Sequence, residues 1–256
     1  MYQASPKIPT EGLIFHVDAA SKLSTKSDNN FYDITGNYPR GYSNPNVISG
    51  ATFSSDFGGY WAFDGTDDYA KYGQRAYATG FIENSPLNRN MTVISWIRTD
   101  SDHAGVFFSG NDASNTRACF QMGKSSNGKL YISWFMYQTT NYNYNSRSTN
   151  STVSNNEWHQ FSVTVEGYAA SNVYEAGLQF YLNGAAIDAD DNNITKRSTG
   201  TIANPLIVVG RQQEGSTSTP FNGDISNIKM YERILSADEI KQDYNAIGPR
   251  FGFDPI

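Results

Sequence analysis

Short runs in which apolar and polar residues alternate recur along the chain, and residues that favour turns separate them. The run MTVISWIRT at 91–99 is the clearest, because Val93 and Ile97 fall on one face whereas Ile94 and Trp96 fall on the other. A period of two residues belongs to β-strands, in which successive side chains point to opposite faces of the sheet. About a dozen such runs therefore predict a fold made almost entirely of strands.

The turns between the runs carry signals of their own. The runs at 117–123 and 129–137 are separated by Ser-Asn-Gly at 126–128, which predicts a hairpin. Asn183-Gly184 suits a type I′ turn, because both central positions of that turn need positive φ. The 17 Tyr and 15 Phe residues favour strands and the 22 Gly residues favour turns, so composition agrees with the pattern.

Only the segment SADEIKQDYNAI at 236–247 has the pattern of a helix. Ser236 and Glu239 have the spacing of a capping box, and Leu235 with Ile240 has that of a hydrophobic staple. Many strands with one late helix predict an all-β fold of two packed antiparallel sheets with one short C-terminal helix.

Long polar stretches without periodicity are predicted to be loops on this sandwich, where binding residues are commonly found. They span residues 21–59, 138–156, 189–203 and 212–220.

Charge and hydropathy exclude some classes of partner. The net charge is −6 and the sequence has no cluster of Lys and Arg, which argues against nucleic acid. No run approaches the roughly 18 apolar residues of a membrane span. The start MYQASPKIPTEGLIF lacks the basic and apolar regions of a signal peptide, so we expect a soluble, leaderless chain.

Five segments, taken in order, resemble the concanavalin A-like family, which includes laminin-G-like and pentraxin-like domains. They are WAFDGTDDYA at 61–70, MTVISWIRT at 91–99, EWHQFSVTV at 157–165, LQFYLNGA at 178–185 and FNGDISNIKMYERILSADEI at 221–240. The resemblance covers about residues 12–247 and implies one jelly-roll sandwich domain over residues 1–256, with short terminal extensions. It also implies roles in glycan binding, protein binding or adhesion. The residues at the family's patterned strand positions are expected to be buried, namely Trp96, Trp158, Phe161, Val163, Phe180, Leu182, Val209, Ile228 and Tyr231. Some relatives bind calcium, and one branch hydrolyses glucans.

The ending YNAIGPRFG at 244–252 is similar to the tail of laminin-G-like proteins in tailed-bacteriophage particles. This resemblance implies a virion component, either a capsid decoration or a tail-fibre adhesin. The alternative is a cytoplasmic or leaderless soluble protein outside the virion. The expected partners are virion proteins or cell-surface glycans, and a homo-oligomer stays open.

Motifs for catalysis are missing from the sequence. None of the glutamates begins the E-x-D-x-x-E pattern of the glucanase branch, and the serine elbow G-x-S-x-G is absent. The three His form no H-x-x-x-H pair, and His159 is expected to be a structural, hydrogen-bonded group. The sequence thus predicts a non-catalytic module. The alternatives are a free carbohydrate-binding lectin or a glycan hydrolase that uses two carboxylates distant in sequence.

The segment YQTTNYNYNSRSTN at 137–150 is the candidate binding surface, because tyrosine rings stack on sugars and amides bond to hydroxyls. Its candidate residues are Tyr137, Asn141, Tyr142, Asn143, Tyr144 and Arg147, with Tyr142 and Tyr144 as anchors. The alternative is a polar loop that packs its tyrosines on its own sandwich or on a neighbouring subunit.

Acidic residues near turns give a weak calcium signal. Asp64, Asp67 and Asp68 are the densest group, but the full loop of an EF-hand is missing. The alternative is that Asp64 shapes the turn while the other two are solvated or cap local amides. The loop with Asp188, Asp190 and Asp191 has the same two interpretations, and no cofactor is predicted.

Overall fold

A computed structural model describes most of the chain. The described residues are 7–25, 31–37, 48–73, 90–99, 105–112, 117–136, 143–170, 173–190, 193–196, 205–212 and 219–256. Within these ranges the chain forms sixteen β-strands, one α-helix, and short 3-10 helices at Asp56–Gly58 and Gly248–Phe251. None of the helices in this part of the chain has the length and apolarity needed to cross a bilayer.

The strands, numbered in chain order, form two antiparallel sheets. The nine-stranded sheet contains β1 (Leu13–Asp18), β3 (Thr52–Ser54), β4 (Tyr60–Asp64), β6 (Met91–Thr99), β11 (Trp158–Ala170), β12 (Val173–Leu182), β13 (Ala185–Ile187), β14 (Asn193–Lys196) and β16 (Asn222–Tyr231). The seven-stranded sheet contains β2 (Ile48–Ser49), β5 (Tyr69–Gly73), β7 (Gly105–Asp112), β8 (Arg117–Lys124), β9 (Lys129–Met136), β10 (Asn143–Thr152) and β15 (Pro205–Val209).

The order of strands shows how the chain moves between the two layers. The nine-stranded sheet runs β13-β12-β11-β6-β16-β4-β3, with β1 also paired to β16 and β14 to β12. The seven-stranded sheet runs β10-β9-β8-β7-β15-β5-β2. The turn at Asp64-Gly65 separates β4 from β5 and so carries the chain from one sheet to the other. The predicted sandwich is confirmed.

The core lies between the sheets and is rich in aromatic rings. Phe161 of β11 meets Phe107 of β7 edge-on at 6.3 Å, and Phe15 of β1 stacks on Phe108 at 5.9 Å. Eight of the nine residues predicted to be buried are buried. The exception is Leu182, which is partly buried and packs against the core, because it ends β12 beside the Asn183-Gly184 turn. That turn has φ values of 51° and 78°, as predicted.

A second layer of packing covers the outer face of the nine-stranded sheet. Helix α1 (Ala237–Ile247) has the predicted capping box between Ser236 and Glu239. Leu235 and Ile240 pack with Ile94 of β6 in one buried cluster, as the staple requires. Strand β6 is therefore buried on both faces, which explains why both sides of its alternation are apolar.

The prediction of long loops is wrong in several places. β10 lies in the polar stretch 138–156, β2 and β3 lie in 21–59, and β14 lies in 189–203. These strands are short, or lie at the edge of a sheet, where one side of the backbone has no strand partner and side chains meet solvent. The apolar periodicity that marks a central strand is therefore not needed there.

Charged groups are buried between α1 and the nine-stranded sheet. Lys229 Nζ lies 2.9 Å from Asp243 Oδ2, and both side chains are 0% exposed. Lys229 also donates to Asn227 Oδ1 at 3.1 Å, and Gln160 Nε2 donates to Asp243 Oδ1 at 3.1 Å. In β1, His16 stands opposite Lys229. Burial, and then the charge of Lys229, lower the pKa of His16 to about 3.

We expect His16 to make folding sensitive to acid. An unfolded histidine takes up a proton near pH 6.5, whereas buried His16 stays neutral down to about pH 3, so the unfolded state binds more protons in that window. Stability should therefore fall as pH falls from 6.5, by at most about 1.4 kcal/mol per pH unit from this group. Urea unfolding at pH 7 and pH 5 gives the change in the free energy of unfolding between the two pH values. This change should be smaller in His16→Gln than in the wild type. The same change in the variant and the wild type would show that His16 does not cause the acid sensitivity.

Candidate ligand-binding surface

The structure describes only part of the predicted tyrosine segment. Tyr137, Asn141 and Tyr142 lie outside the described residues. Asn143 and Tyr144 begin β10 and pair with Met136 and Phe135 of β9. For Asn143 and Tyr144 the structure describes the backbone alone. Arg147 lies further along β10, is partly exposed and donates to the Ser146 carbonyl at 2.8 Å. From Asn143 onward the predicted loop is an edge strand.

Backbone pairing holds β10 in place on its outer side. Thr149 forms an antiparallel bridge with Ala189, and the Asn150 amide donates to the Asp188 carbonyl at 3.1 Å. Asp190 accepts hydrogen bonds from the Ser148 amide at 2.9 Å and from its hydroxyl at 3.2 Å. The acidic loop therefore ties the edge of one sheet to a segment that follows β13 of the other, and Asp190 caps a local amide.

A line of polar residues crosses the seven-stranded sheet from this edge. Strand pairing places Ser146 of β10 opposite Ser133 of β9, Ser133 opposite Gln121 of β8, and Gln121 opposite Ser109 of β7. Their chain neighbours, such as Ile132, belong to the core between the sheets. Because side chains alternate along a strand, these four residues, called the polar row below, face away from the core.

Among the described residues, only part of the polar row has hydrogen-bond partners. At its inner end, Ser109 donates to the carbonyls of Arg211 at 3.1 Å and Gln212 at 2.7 Å. In the middle, the oxygens Gln121 Oε1 and Ser133 Oγ are buried and have no partner among the described residues. Such groups each cost about 1–3 kcal/mol of folding free energy. Buried polar groups without a protein partner are candidates for contact with a bound polar molecule or water.

The polar row is reached most readily at its β10 end. Ser146 and Ser148 are partly exposed, as is Tyr131, which neighbours the row in β9. Gln121 Nε2 lies 3.4 Å from the Tyr131 hydroxyl, which links the buried amide to this more accessible ring. The edge offers the hydroxyl groups of Ser146, Ser148 and Tyr131, together with the charges of Arg147 and Asp190. This chemistry suits a ligand rich in hydroxyls.

The three acidic residues of the β4–β5 turn do lie together. One ligand oxygen from each of Asp64, Asp67 and Asp68 lies within 4.8 Å of the others. However, Asp68 accepts the Asp64 amide at 2.8 Å, and Asp64 accepts the Thr66 amide at 2.7 Å. Burial, and then the charges of Asp64 and Asp67, raise the pKa of Asp68. The turn role suggested by the sequence accounts for Asp64 and Asp68.

His159 has structural contacts. Its Nε2 lies 3.3 Å from the Ser154 carbonyl and 3.2 Å from the Ser154 hydroxyl, which also bonds to the Glu157 carboxylate. Its Nδ1 is buried and has no partner among the described residues, so no carboxylate there orients the ring. Burial lowers the pKa of His159.

Residues 64–241, more than half of the chain, match the family model described as the concanavalin A-like lectin/glucanases superfamily. The chain belongs to this superfamily. The match runs from the end of β4 to the middle of α1, so it includes the polar row. No curated protein matches the chain at a significant level.

Solved structures share the superfamily fold. The binding domain of botulinum neurotoxin DC, in complex with SialylT, is 12% identical with a TM-score of 0.58 and covers 92% of this chain and 52% of its own. A Trypanosoma rangeli sialidase in complex with sialic acid is 13% identical with a TM-score of 0.58, over 96% of this chain and 35% of its own. The chain spans about half of the toxin domain and about a third of the sialidase. At this identity the likeness shows the fold.

Sequence reasoning missed the polar row. Ser109, Gln121 and Ser133 each stand alone among apolar neighbours, in VFFSG, CFQMG and YISWF. The available signal was that each of three consecutive predicted strands carries one polar residue among apolar ones. Only the register of the strands brings the three side chains into one line.

Proposed function

We propose that the chain is a non-catalytic glycan-binding module that serves on the surface of a phage particle as a capsid decoration or tail-fibre adhesin. The observation that supports glycan binding is the pair of buried oxygens of Gln121 and Ser133, which have no hydrogen-bond partner in the described part of the chain and lie near the accessible edge of β10. Sugar hydroxyls both donate and accept hydrogen bonds, so a glycan at this edge can satisfy both groups directly or through a bridging water.

The tyrosine segment would supply the stacking surface for this ligand. Residues 143–147 run along the open side of β9, next to Ser133 and Tyr131 of the same sheet. Tyr142 and Tyr144 are the proposed anchors, and Tyr137, Asn141, Asn143 and Arg147 the proposed polar or flanking contacts. Two structural relatives were solved in complex with SialylT and with sialic acid, which supports a sugar as the ligand class.

The anchors can be tested by a double substitution. Tyr142→Ala with Tyr144→Ala should weaken glycan binding by at least 1–2 kcal/mol, roughly 5- to 30-fold, and leave folding nearly intact. Isothermal titration calorimetry with a glycan chosen from an array provides the measurement. Asn150→Ala, on the exposed far part of β10, is the matched control and should bind like the wild type. If the double variant binds the glycan as the wild type does, Tyr142 and Tyr144 are not part of the binding site.

The virion role rests on the resemblance of the C-terminal segment to phage particle proteins. In the structure this segment packs on the sandwich, with the Phe251 ring 4.7 Å from Trp96. Mass spectrometry of purified particles of a phage that encodes the chain should detect it in stoichiometric amounts. Its absence from washed particles would favour a free lectin.

A hydrolase is the remaining alternative. Among the described residues, the carboxylates of Asp64, Asp67 and Asp68 lie close together. Those of Asp64 and Asp68 already accept hydrogen bonds from backbone amides. We expect no reducing sugar to be released from glycans that the chain binds. Release that scales with enzyme concentration would contradict the non-catalytic assignment.

A further inference from the structure

A second surface of a different character lies where β4 begins, β6 ends and β11 begins. Arg98 of β6 stands opposite Trp158 of β11 on one side and Asp224 of β16 on the other. Around it are Phe57, from the 3-10 turn before β4, and Tyr60, the first residue of β4. These four residues, Phe57, Tyr60, Arg98 and Trp158, are called the aromatic surface below.

The aromatic surface is built around the guanidinium of Arg98. The Arg98 Cζ lies 5.6 Å from the ring centre of Phe57, 5.2 Å from that of Tyr60 and 5.3 Å from that of Trp158. Its Nε donates to Asp224 Oδ2 at 2.6 Å, so the charge is already paired. Stacking and pairing together hold the three rings in fixed positions.

Phe57 stands out because it is both exposed and strained. Its side chain is 42% exposed, and its φ of 53° lies in the left-handed region that favours glycine. Arg250 holds this turn: its Nε donates to the Phe57 carbonyl at 3.3 Å, and one terminal nitrogen donates to the Gly59 carbonyl at 3.3 Å. The other terminal nitrogen donates to Asp18 at 2.9 Å. A strained residue that presents a large ring to solvent, and is held there from several sides, points to function.

The surroundings of Phe57 define the kind of ligand. The two arginines that touch this surface are both paired, Arg98 with Asp224 and Arg250 with Asp18. Neither is therefore a free cation for an anionic ligand. The exposed, flat, apolar ring of Phe57 suits a neutral pyranose, whose C–H face packs on aromatic rings.

We propose that the aromatic surface is a second carbohydrate site, at which a neutral pyranose ring stacks on Phe57. The site lies on β4, β6 and β11 of the nine-stranded sheet, whereas the polar row lies on the seven-stranded sheet. The inference rests on the proposed function only for the class of ligand, because its residues are separate from the polar row. Two sites on different sheets would let one chain engage two branches of a glycan or two neighbouring glycans, which raises avidity.

Titration of the full chain with neutral oligosaccharides of glucose, galactose and mannose tests the proposal. Calorimetry gives the stoichiometry, and tryptophan fluorescence reports the site, because the rings of Phe57 and Trp158 lie 6.0 Å apart. The wild type should bind two sugars per chain. Phe57→Gly relieves the positive φ, and so keeps the fold, but it should lose one site and the associated fluorescence change, with at least a roughly tenfold loss of affinity there.

Two controls separate this proposal from the first site. Leu23→Ala removes another exposed apolar side chain, 67% exposed, and should change neither stoichiometry nor fluorescence. The double variant Tyr142→Ala with Tyr144→Ala should keep the Phe57-dependent site. The proposal is overturned if Phe57→Gly binds as the wild type does, if only sialylated or uronic-acid sugars give the fluorescence change, or if the wild type binds no sugar. If the chain binds sugar at a Phe57-dependent site but not at the β10 edge, this inference is supported and the proposed glycan site at the polar row is rejected.

Discussion

Lys229→Met lowers the free energy of unfolding by about 3–5 kcal/mol, because it leaves the Asp243 carboxylate buried without a counter-charge. Both side chains of the pair are 0% exposed, and Lys229 Nζ lies 2.9 Å from Asp243 Oδ2. The pair joins β16 to α1, so its loss should loosen the helix from the outer face of the sheet. Urea unfolding at pH 7, followed by circular dichroism and by tryptophan fluorescence, measures the change.

A double variant separates the buried charge from the lost packing. Lys229→Met with Asp243→Asn is neutral and keeps an oxygen at position 243 to accept from Gln160, which now donates to Asp243 at 3.1 Å. We expect it to recover most of the stability, since a neutral pair needs no counter-charge. If the single variant loses less than about 1 kcal/mol, or if the double variant is no better, the charge pair is not what links α1 to the sheet.

Trp96→Ala should cost about 3–5 kcal/mol, the usual range for truncating a large buried ring. Trp96 is 0% exposed and stacks on Tyr244 of α1 at 5.7 Å and on Phe251 at 4.7 Å. Phe253 lies 5.8 Å away. One side chain of β6 therefore holds both the helix and the C-terminal segment, and its removal leaves a cavity between three elements.

Trp96→Phe is the matched control for this cavity. Trp96 Nε1 is buried and has no hydrogen-bond partner among the described residues, so phenylalanine loses volume but no hydrogen bond. Thermal unfolding should place Trp96→Phe between the wild type and Trp96→Ala, and closer to the wild type. Equal losses in the two variants would mean that the indole nitrogen, and not the ring volume, stabilises the helix.

The central strands and the helix could be predicted because their environments impose a periodic pattern. β6 was predicted at the bounds that the structure shows, since both of its faces are buried. The helix over 237–247 was predicted from its cap and its staple, which are local signals. β10 could not be predicted in this way. It is stabilised by backbone bonds to β9 and to residues 188–190, and these leave no apolar period in its sequence.

The candidate sites depend on register and on contacts between distant segments. The sequence indicated Tyr142 and Tyr144 from composition, but the polar row forms only when β7, β8, β9 and β10 pair in one register. The aromatic surface joins Phe57, Arg98 and Trp158, which lie more than forty residues apart in sequence. No local pattern marks such a set. The strained turn at Phe57 likewise carries only Gly58 and Gly59 as a sign of unusual backbone.

We propose above all that the chain binds a glycan at the β10 edge of the seven-stranded sheet. Chemical-shift mapping on the deuterated, 15N-labelled chain, with a glycan selected on an array, tests it most directly. We predict large shifts for the backbone amides of 143–149 and for the side-chain amide of Gln121. Binding without shifts at these groups, or no binding to any glycan on the array, would contradict the account.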